Sequence, residues 1–125
     1  MIRIWYTNTD TFINFMMGIR KKPTIENLGE THEVVWQNLE TKIEAQPLQV
    51  RGHELDKCKA LMTQFNSDYR NPISGHSGEE GRKFQEKMKD NKINVIHTSM
   101  SVGDVIQLDN SYYYVDGGFN KLENK

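Results

Sequence analysis

Thirty residues near the C-terminus decide the fold of this chain: from Ile93 to Leu122 they read INVIHTSMSVGDVIQLDNSYYYVDGGFNKL. Two runs within this stretch, Val105–Asp109 and Tyr112–Asp116, are rich in β-branched and aromatic residues, which is the composition of strands. Only Asn110 and Ser111 separate the two runs, and a two-residue link between strands predicts a β-hairpin. We therefore expect a C-terminal hairpin that turns at Asn110-Ser111.

The two faces of this hairpin differ in chemistry. Pairing the strands outward from the expected turn places Leu108 opposite Tyr113 and Gln107 opposite Tyr114. Because side chains alternate along a strand, the residues divide into an apolar face with Ile106, Leu108, Tyr113 and Val115, and a polar-aromatic face with Gln107, Asp109, Tyr112, Tyr114 and Asp116. The apolar face is expected to be core. We expect the polar-aromatic face to stay open, since three helices can cover only one face of a small sheet well.

The N-terminal region predicts a strand followed by a helix. Residues Ile2–Thr7 have the composition and alternation of a strand. Four apolar residues then recur at the i, i+3, i+4, i+7 spacing of a helical face, namely Phe12, Phe15, Met16 and Ile19. We expect this helix to end before Pro23 and to be buried over much of its surface.

Further elements complete an α+β pattern. Residues Thr31–Leu39 predict a second strand, Gly52–Asn66 and Glu79–Asn91 predict two amphipathic helices, and the glycine-rich segment 68–81 predicts a long surface loop. The expected fold is a single α+β domain spanning residues 1–125. It contains a small, mainly antiparallel sheet with about three helices packed on it and a C-terminal β-hairpin.

Composition excludes several classes of protein. The formal net charge is −1, whereas a protein that binds duplex nucleic acid usually carries a basic surplus. Cys58 is the single cysteine, so neither an intramolecular disulfide nor a cysteine-based zinc cluster is expected. No segment has the length and apolarity of a signal peptide or a membrane span. These features predict a cytoplasmic protein without a membrane partner.

The sequence contains no recognisable catalytic or metal-binding motif. Four histidines, at positions 32, 53, 76 and 97, show no spacing at which they would ligate one metal ion, so no metal and no cofactor is expected. No motif joins Cys58 or a serine to a histidine, and Cys58 falls on the buried face of its predicted helix. We therefore assign no catalytic residue, and an enzyme is the least favoured class.

The Val102-Gly103-Asp104 step is the most distinctive local pattern. Gly103 is expected to adopt a conformation that a side chain would oppose, and Asp104 to bond nearby backbone N–H groups at the entry to the strand. A structural turn is one interpretation, and a ligand contact or an acid–base role for Asp104 is the other. His97, Ser99 and Ser101 precede this step and are candidates for the same edge. The candidate binding residues are thus His97, Ser99, Asp104, Gln107, Tyr112 and Tyr114.

One resemblance to a known family covers about a quarter of the chain. The run HTSMSVGDVIQL, which begins at His97, is followed by YYYVD and then by Gly118-Phe119. It resembles the C-terminal signature of YodL-like domains, which end in an S-[LM]-S-V-x-D-V-[VI] step, a short hairpin and an aromatic residue after glycine. Members of that family occur in phages, plasmids and other bacterial mobile elements. The resemblance implies an accessory protein of a mobile element and transfers no catalytic residue.

Three classes of function follow from these observations. The leading hypothesis is a non-enzymatic phage or mobile-element protein that binds a host or defence component, in host takeover or anti-defence, or that associates with itself. A small-ligand protein that sequesters a nucleotide is the first alternative. A single-stranded nucleic-acid binder is the second, with Tyr112 and Tyr114 as stacking platforms beside several lysines. Acidic residues interleaved with those lysines weaken the second alternative.

Overall fold

The fold is an α+β arrangement around one antiparallel sheet, in a computed structural model that describes residues 1–19, 22–38, 53–67, 79–97 and 100–122. The elements within these ranges are β1 (Ile2–Thr7), α1 (Thr9–Met16), α2 (Leu28–Thr31), β2 (His32–Asn38), α3 (His53–Ser67), α4 (Glu79–Asp90), β3 (Val105–Leu108), β4 (Ser111–Val115) and β5 (Phe119–Lys121). The five strands are ordered β2-β1-β3-β4-β5. The predicted fold class is confirmed. Most of the predicted loop, residues 68–78, lies outside the described residues.

The main core lies between one face of the sheet and two helices. Strands β1, β3 and β4 contribute buried apolar side chains, including Tyr6, Ile106 and Tyr113. Helices α3 and α4 cover them with Cys58, Leu61, Phe65, Phe84 and Met88. The expected apolar face of the hairpin is therefore confirmed, as is the burial of Cys58. Among the helices of the described ranges, none is long and apolar enough to cross a membrane.

The hairpin turns one residue earlier than the sequence predicted. Leu108 pairs with Ser111, so the turn is Asp109-Asn110 and the predicted strand register was wrong by two residues. Asp109 adopts a φ of 53°, which aspartate tolerates better than most residues, and its N–H donates to Met1 O at 2.9 Å. This bond holds Asp109 against the start of β1. A shift of two residues preserves side-chain alternation, which explains why the face assignment was still correct.

The second face of the sheet is covered, and the expectation that it stays open was wrong. Tyr114 and Val105 are buried there with Leu28 and Leu122, and Tyr112 packs at the edge of this cluster. Non-helical segments provide part of the packing over this face, because Ile25 and Leu122 lie outside any helix. The sequence-based expectation counted only helices as cover, so it left this face exposed.

Helix α1 is short, and both of its ends are capped. The side chain of Asn8 caps its first turn, since Oδ1 accepts from the N–H of Thr11 at 2.9 Å. Gly18, at a φ of 87°, ends it: Gly18 N–H donates to Phe15 O at 3.1 Å and Ile19 N–H to Asn14 O at 2.8 Å. These two bonds form a Schellman motif, which closes the helix well before Pro23.

The expected burial of α1 was also wrong. None of its residues is fully buried, and Met16 is 75% exposed. Phe12 and Phe15 turn toward the body of the protein, where they meet His97 and Gly103. The remaining apolar side chains of this two-turn helix therefore point outward. Apolar spacing indicated a helix correctly, but it did not show which apolar residues face inward.

Candidate functional site

The Gly103–Asp104 step leads the chain into β3 and is held from several sides. Gly103 has a φ of 98°, in the region that favours glycine. A Cβ at this position would lie 2.8 Å from the ring of Phe15. The step is also tied to β4, because Gly103 N–H donates to Val115 O at 2.8 Å and Val115 N–H donates to Asp104 O at 3.0 Å. The predicted need for glycine at position 103 is confirmed.

The side chain of Asp104 is the centre of a buried polar cluster. Its Oδ1 accepts from the N–H of Thr7 at 3.0 Å, and its Oδ2 accepts from the N–H of Ser101 at 2.8 Å. His97 Nε2 lies 3.2 Å from both carboxylate oxygens. Burying a carboxylate is unfavourable unless donors surround it, and here backbone and imidazole donors converge on it. The prediction that Asp104 bonds backbone N–H groups is confirmed.

His97 lies between two aromatic rings. Tyr6 stacks on one face of the imidazole at a centroid distance of 4.6 Å and an angle of 15°. Phe12 from α1 stacks on the other face at 4.8 Å and 20°. His97 is 5% exposed, so the aromatic rings and Asp104 together form most of its surroundings. The imidazole is thereby fixed in both plane and orientation.

The two nitrogens of His97 have different surroundings. Since a carboxylate oxygen only accepts, Nε2 carries a proton and donates it to Asp104. In the neutral imidazole the lone pair is then on Nδ1, and Nδ1 is buried without a hydrogen-bond partner in the described part of the chain. Thr7 Oγ1, on the residue whose N–H binds Asp104, is likewise buried and unpartnered within the described residues. A buried polar atom without a partner costs free energy, and this cluster contains two of them.

His32 supports the same turn from β2. Its Nε2–H donates to Gly103 O, since a carbonyl oxygen only accepts, and its Nδ1 lies 2.7 Å from Thr31 Oγ1, whose hydroxyl donates to it. Burial lowers the pKa of His32 below the ordinary 6.5, because the imidazolium would lose its hydration. His32 is therefore a neutral structural histidine that braces the Gly103 carbonyl.

The structure brings two of the six candidate binding residues together. His97 and Asp104 meet directly, as the sequence suggested, and Ser99 lies outside the described residues. Gln107 is buried, with its Oε1 accepting from Trp5 Nε1–H at 3.0 Å and its Nε2–H donating to Asp109 O at 2.9 Å. Its expected position on an open face was therefore wrong.

Tyr112 and Tyr114 do not form an open platform. Tyr114 is only 4% exposed and Tyr112 is partly buried, both in the second cluster of the sheet. Stacking of bases on aromatic rings requires accessible ring faces. Tyr114 therefore offers almost no exposed ring to a partner and Tyr112 only part of one, which corrects the expectation of an open face drawn from their position on the hairpin.

Sequence reasoning missed three contributors to the Asp104 cluster. His32, Thr7 and Phe12 reach it from β2, the end of β1 and α1. The N–H of Thr7 binds a carboxylate 97 positions away, and His32 binds a carbonyl 71 positions away. No local pattern reports such separations. The helical spacing of Phe12 indicated an inward side chain and was the one available signal.

A second feature concerns the outer surface of α1. The α1 apolar surface consists of Ile13, Met16, Met17 and Ile19, which are 44%, 75%, 71% and 59% exposed. Ile13, Met16 and Met17 are related by i, i+3 and i+4, so they lie together on one side of the helix. The helix thus has two separate apolar sides, one turned to His97 and one to solvent.

No further site is evident from metal geometry or from relatives. In the ranges that the structure describes, no group of three or more His, Cys, Asp or Glu side chains is arranged to hold a metal ion. Comparison of the chain with protein-family models, curated proteins and solved structures gives no match. A function is therefore inferred from features of the structure itself, among them the α1 apolar surface and the Asp104 cluster.

Proposed function

We propose that this chain is a non-enzymatic binding protein that docks on a partner protein through the α1 apolar surface. The observation that carries the proposal is the exposure of four large apolar side chains, between 44% and 75% each, on and just after one short helix. Single exposed apolar residues are common on protein surfaces, but an adjacent group on a small domain marks an interaction site. Covering these side chains would release the water that now surrounds them.

The shape of this surface indicates the chemistry of the partner. A row of apolar side chains on a projecting helix fits an apolar groove, as amphipathic helices do when they bind in grooves of other proteins. Met16 and Met17 have unbranched, adaptable side chains that fill irregular apolar sites. The partner is therefore a protein that presents an apolar groove.

The resemblance to YodL-like domains supports a bacterial host cell as the setting of this interaction. A protein that a phage or mobile element encodes is made inside a bacterial host, where host and defence components are available as partners. We extend the proposal accordingly: the partner is such a component in the bacterial cytoplasm, and the outcome of binding is host takeover or anti-defence. The near-neutral charge of −1 fits a contact that apolar burial, rather than long-range electrostatic attraction, drives.

Two charged substitutions on α1 test the proposal. The double variant Met16→Glu, Met17→Glu places two carboxylates on the α1 apolar surface and is expected to keep the fold, because both positions are exposed. A protein that the wild type captures from a bacterial host lysate would be identified, purified and titrated by calorimetry. We expect the double variant to weaken its affinity by roughly a hundredfold, as loss of interface anchors does.

The matched control is Lys89→Glu, an equal change of two charge units on an exposed face of α4. It should leave the affinity within about twofold, since exposed charges away from an interface contribute little. Equal affinity of the wild type and the Met16, Met17 variant would refute the proposal. Sedimentation of the wild type alone as a dimer that the variant abolishes would also refute it and would assign the surface to self-association.

A second candidate function is small-ligand binding, and one observation favours it. A groove of about 410 Å³ lies along β2 and the end of α4, lined by Val34, Val35, Trp36, Gln37, Lys87, Asn91 and Ile93. This volume is in the range of small-molecule sites, and Trp36 with Lys87 offers an aromatic ring and a cation for a nucleotide. Titration of nucleotides with tryptophan fluorescence would detect such binding. A signal that persists in Lys87→Ala would count against this groove.

A further inference from the structure

Helix α1 is anchored at its beginning. Asn8 N–H donates to Thr31 O at 2.9 Å, and Asn8 Nδ2–H donates to Glu30 O at 3.0 Å. Thr9 N–H donates to Asn94 O at 2.9 Å, and its hydroxyl donates to Asn94 Oδ1 at 2.8 Å. Within the described ranges, no hydrogen bond joins residues 10–19 to the protein outside 8–19. The helix is therefore fixed at Asn8 and Thr9 and is otherwise held by side-chain packing.

Two aromatic side chains provide this packing. Phe12 stacks on His97 at 4.8 Å, and Phe15 lies over Gly103, in the space that a Cβ would need. Neither phenylalanine is fully buried, and no residue of the helix is. Lifting the end of α1 away from the sheet would separate Phe12 from His97, and Phe15 from Gly103 and from the second hydrophobic cluster of the sheet. In the described structure it would break no hydrogen bond. Segments with few buried contacts are the ones that open locally without global unfolding.

The opposite wall of the His97 site is fixed. Tyr6 is fully buried in β1, an interior strand of the sheet, and packs edge-on against Phe65 and Phe84, at centroid distances of 6.2 Å and 6.4 Å. Asp104 is likewise fully buried and is bound by the N–H of Thr7. His97 is thus held by rigid groups on all described sides except the one formed by Phe12.

We propose that α1 is a movable cover and that its opening exposes His97 as a reactive base. Asp104 accepts a hydrogen bond from His97 Nε2–H and so keeps the lone pair of the neutral imidazole on Nδ1, which has no hydrogen-bond donor in the described structure. A carboxylate that orients an imidazole in this way leaves the Nδ1 lone pair as the atom that reacts with an electrophilic reagent. The closed helix hides this base, and the open helix presents it to solvent. This inference does not depend on which partner binds the α1 apolar surface.

Acylation of histidine by diethyl pyrocarbonate, followed by peptide mass spectrometry, tests the proposal. Neutral imidazole attacks the reagent, so the rate at each histidine reports its access. Phe12→Ala removes one of the two ring contacts that hold α1, and we expect it to accelerate modification of His97 roughly tenfold or more. Ile13→Ala, on the outward side of the same helix, is the matched control and should leave the rate unchanged.

Amide hydrogen exchange of the wild type provides the second measurement and needs no variant. We expect the amides of α1 to exchange through an opening whose rate is insensitive to low denaturant, whereas those of β3 exchange by global unfolding. If Phe12→Ala does not fold, Phe15→Ala replaces it in the acylation series. The proposal is refuted if both His97 modification and α1 exchange in the wild type follow the rate of global unfolding, because α1 would then be a fixed part of the domain.

Discussion

Helices α1 and α4 contrast most strongly in how they use apolar residues. In α1, the sequence TDTFINFM contains four large apolar residues among eight, and none of its residues is buried. In α4, EEGRKFQEKMKD contains two among twelve, and both Phe84 and Met88 are at most 5% exposed. The two in α4 are at i and i+4 and face the sheet together, whereas those of α1 are divided between two sides. The alignment of apolar residues, rather than their number, therefore decides burial.

The largest expected effect lies on the α4 side of this comparison. Phe84→Ala removes a buried ring that packs on Phe65 and Tyr6, and it should lower the free energy of unfolding by about 3–5 kcal/mol. Urea denaturation followed by circular dichroism measures the change. Lys87→Ala, exposed on the same helix, should cost under about 0.5 kcal/mol. Similar losses for the two variants would contradict the inward orientation of α4.

A smaller loss is expected at the polar cluster beneath α1. Asp104→Asn replaces one carboxylate oxygen by an amide donor, which would face the N–H of either Thr7 or Ser101. The free energy of unfolding should fall by about 1–3 kcal/mol, the penalty for a buried donor that loses its acceptor. The same urea series gives the value. An Asp104→Asn protein as stable as the wild type would show that the carboxylate is not the structural centre of the cluster.

The pH dependence of stability should report His32. Its pKa in the folded protein is below 6.5, so the unfolded chain takes up the proton first as the pH falls. The contribution of His32 to stability is complete above 6.5 and is lost progressively below it. Urea midpoints measured from about pH 8 to about pH 5 should therefore decline less steeply in His32→Gln than in the wild type, apart from the offset at high pH. Parallel profiles would mean that His32 is not held neutral by the fold.

The smallest effect is expected on the outward side of α1. Met17→Ser exchanges an exposed thioether for a hydroxyl and should change the free energy of unfolding by less than about 0.5 kcal/mol. Met88→Ser, the same exchange in α4, should cost several times more, because its side chain is buried against the sheet. Thermal denaturation of both variants sharpens the contrast between the helices. A substantial loss in Met17→Ser would indicate that α1 packs more firmly than its exposure suggests.

Much of the fold could be predicted because it follows from local patterns. Alternation placed Ile106 and Leu108 on the core face, and this assignment remained correct under a register error of two residues. The register itself could not be predicted, because Asp109 occupies the turn through a bond to Met1 at the other end of the chain. The cover over Tyr114 was also unpredictable, since part of it comes from residues outside any helix.

The site was predictable only where its members are close in sequence. His97 and Asp104 are seven residues apart, and the sequence placed both at one edge. Thr7 and His32 join them only because β1 lies next to both β2 and β3, an order that composition does not report. The stacking of Phe12 on His97 likewise depends on where α1 lies after Asn8. Long-range topology, rather than side-chain chemistry, was the missing information.

The two positions of the Phe15–Gly103 contact differ in how well they tolerate substitution. Position 103 is closed to other residues twice, by the Phe15 ring, 2.8 Å from where a Cβ would lie, and by a φ of 98°, which costs an ordinary residue about 1–2 kcal/mol. Shortening Phe15 removes the first obstacle and leaves the second. Phe15 itself can shrink while Gly103 stays. Substitutions at this contact are therefore expected at Phe15 before Gly103, because a single replacement of Gly103 would meet both obstacles at once.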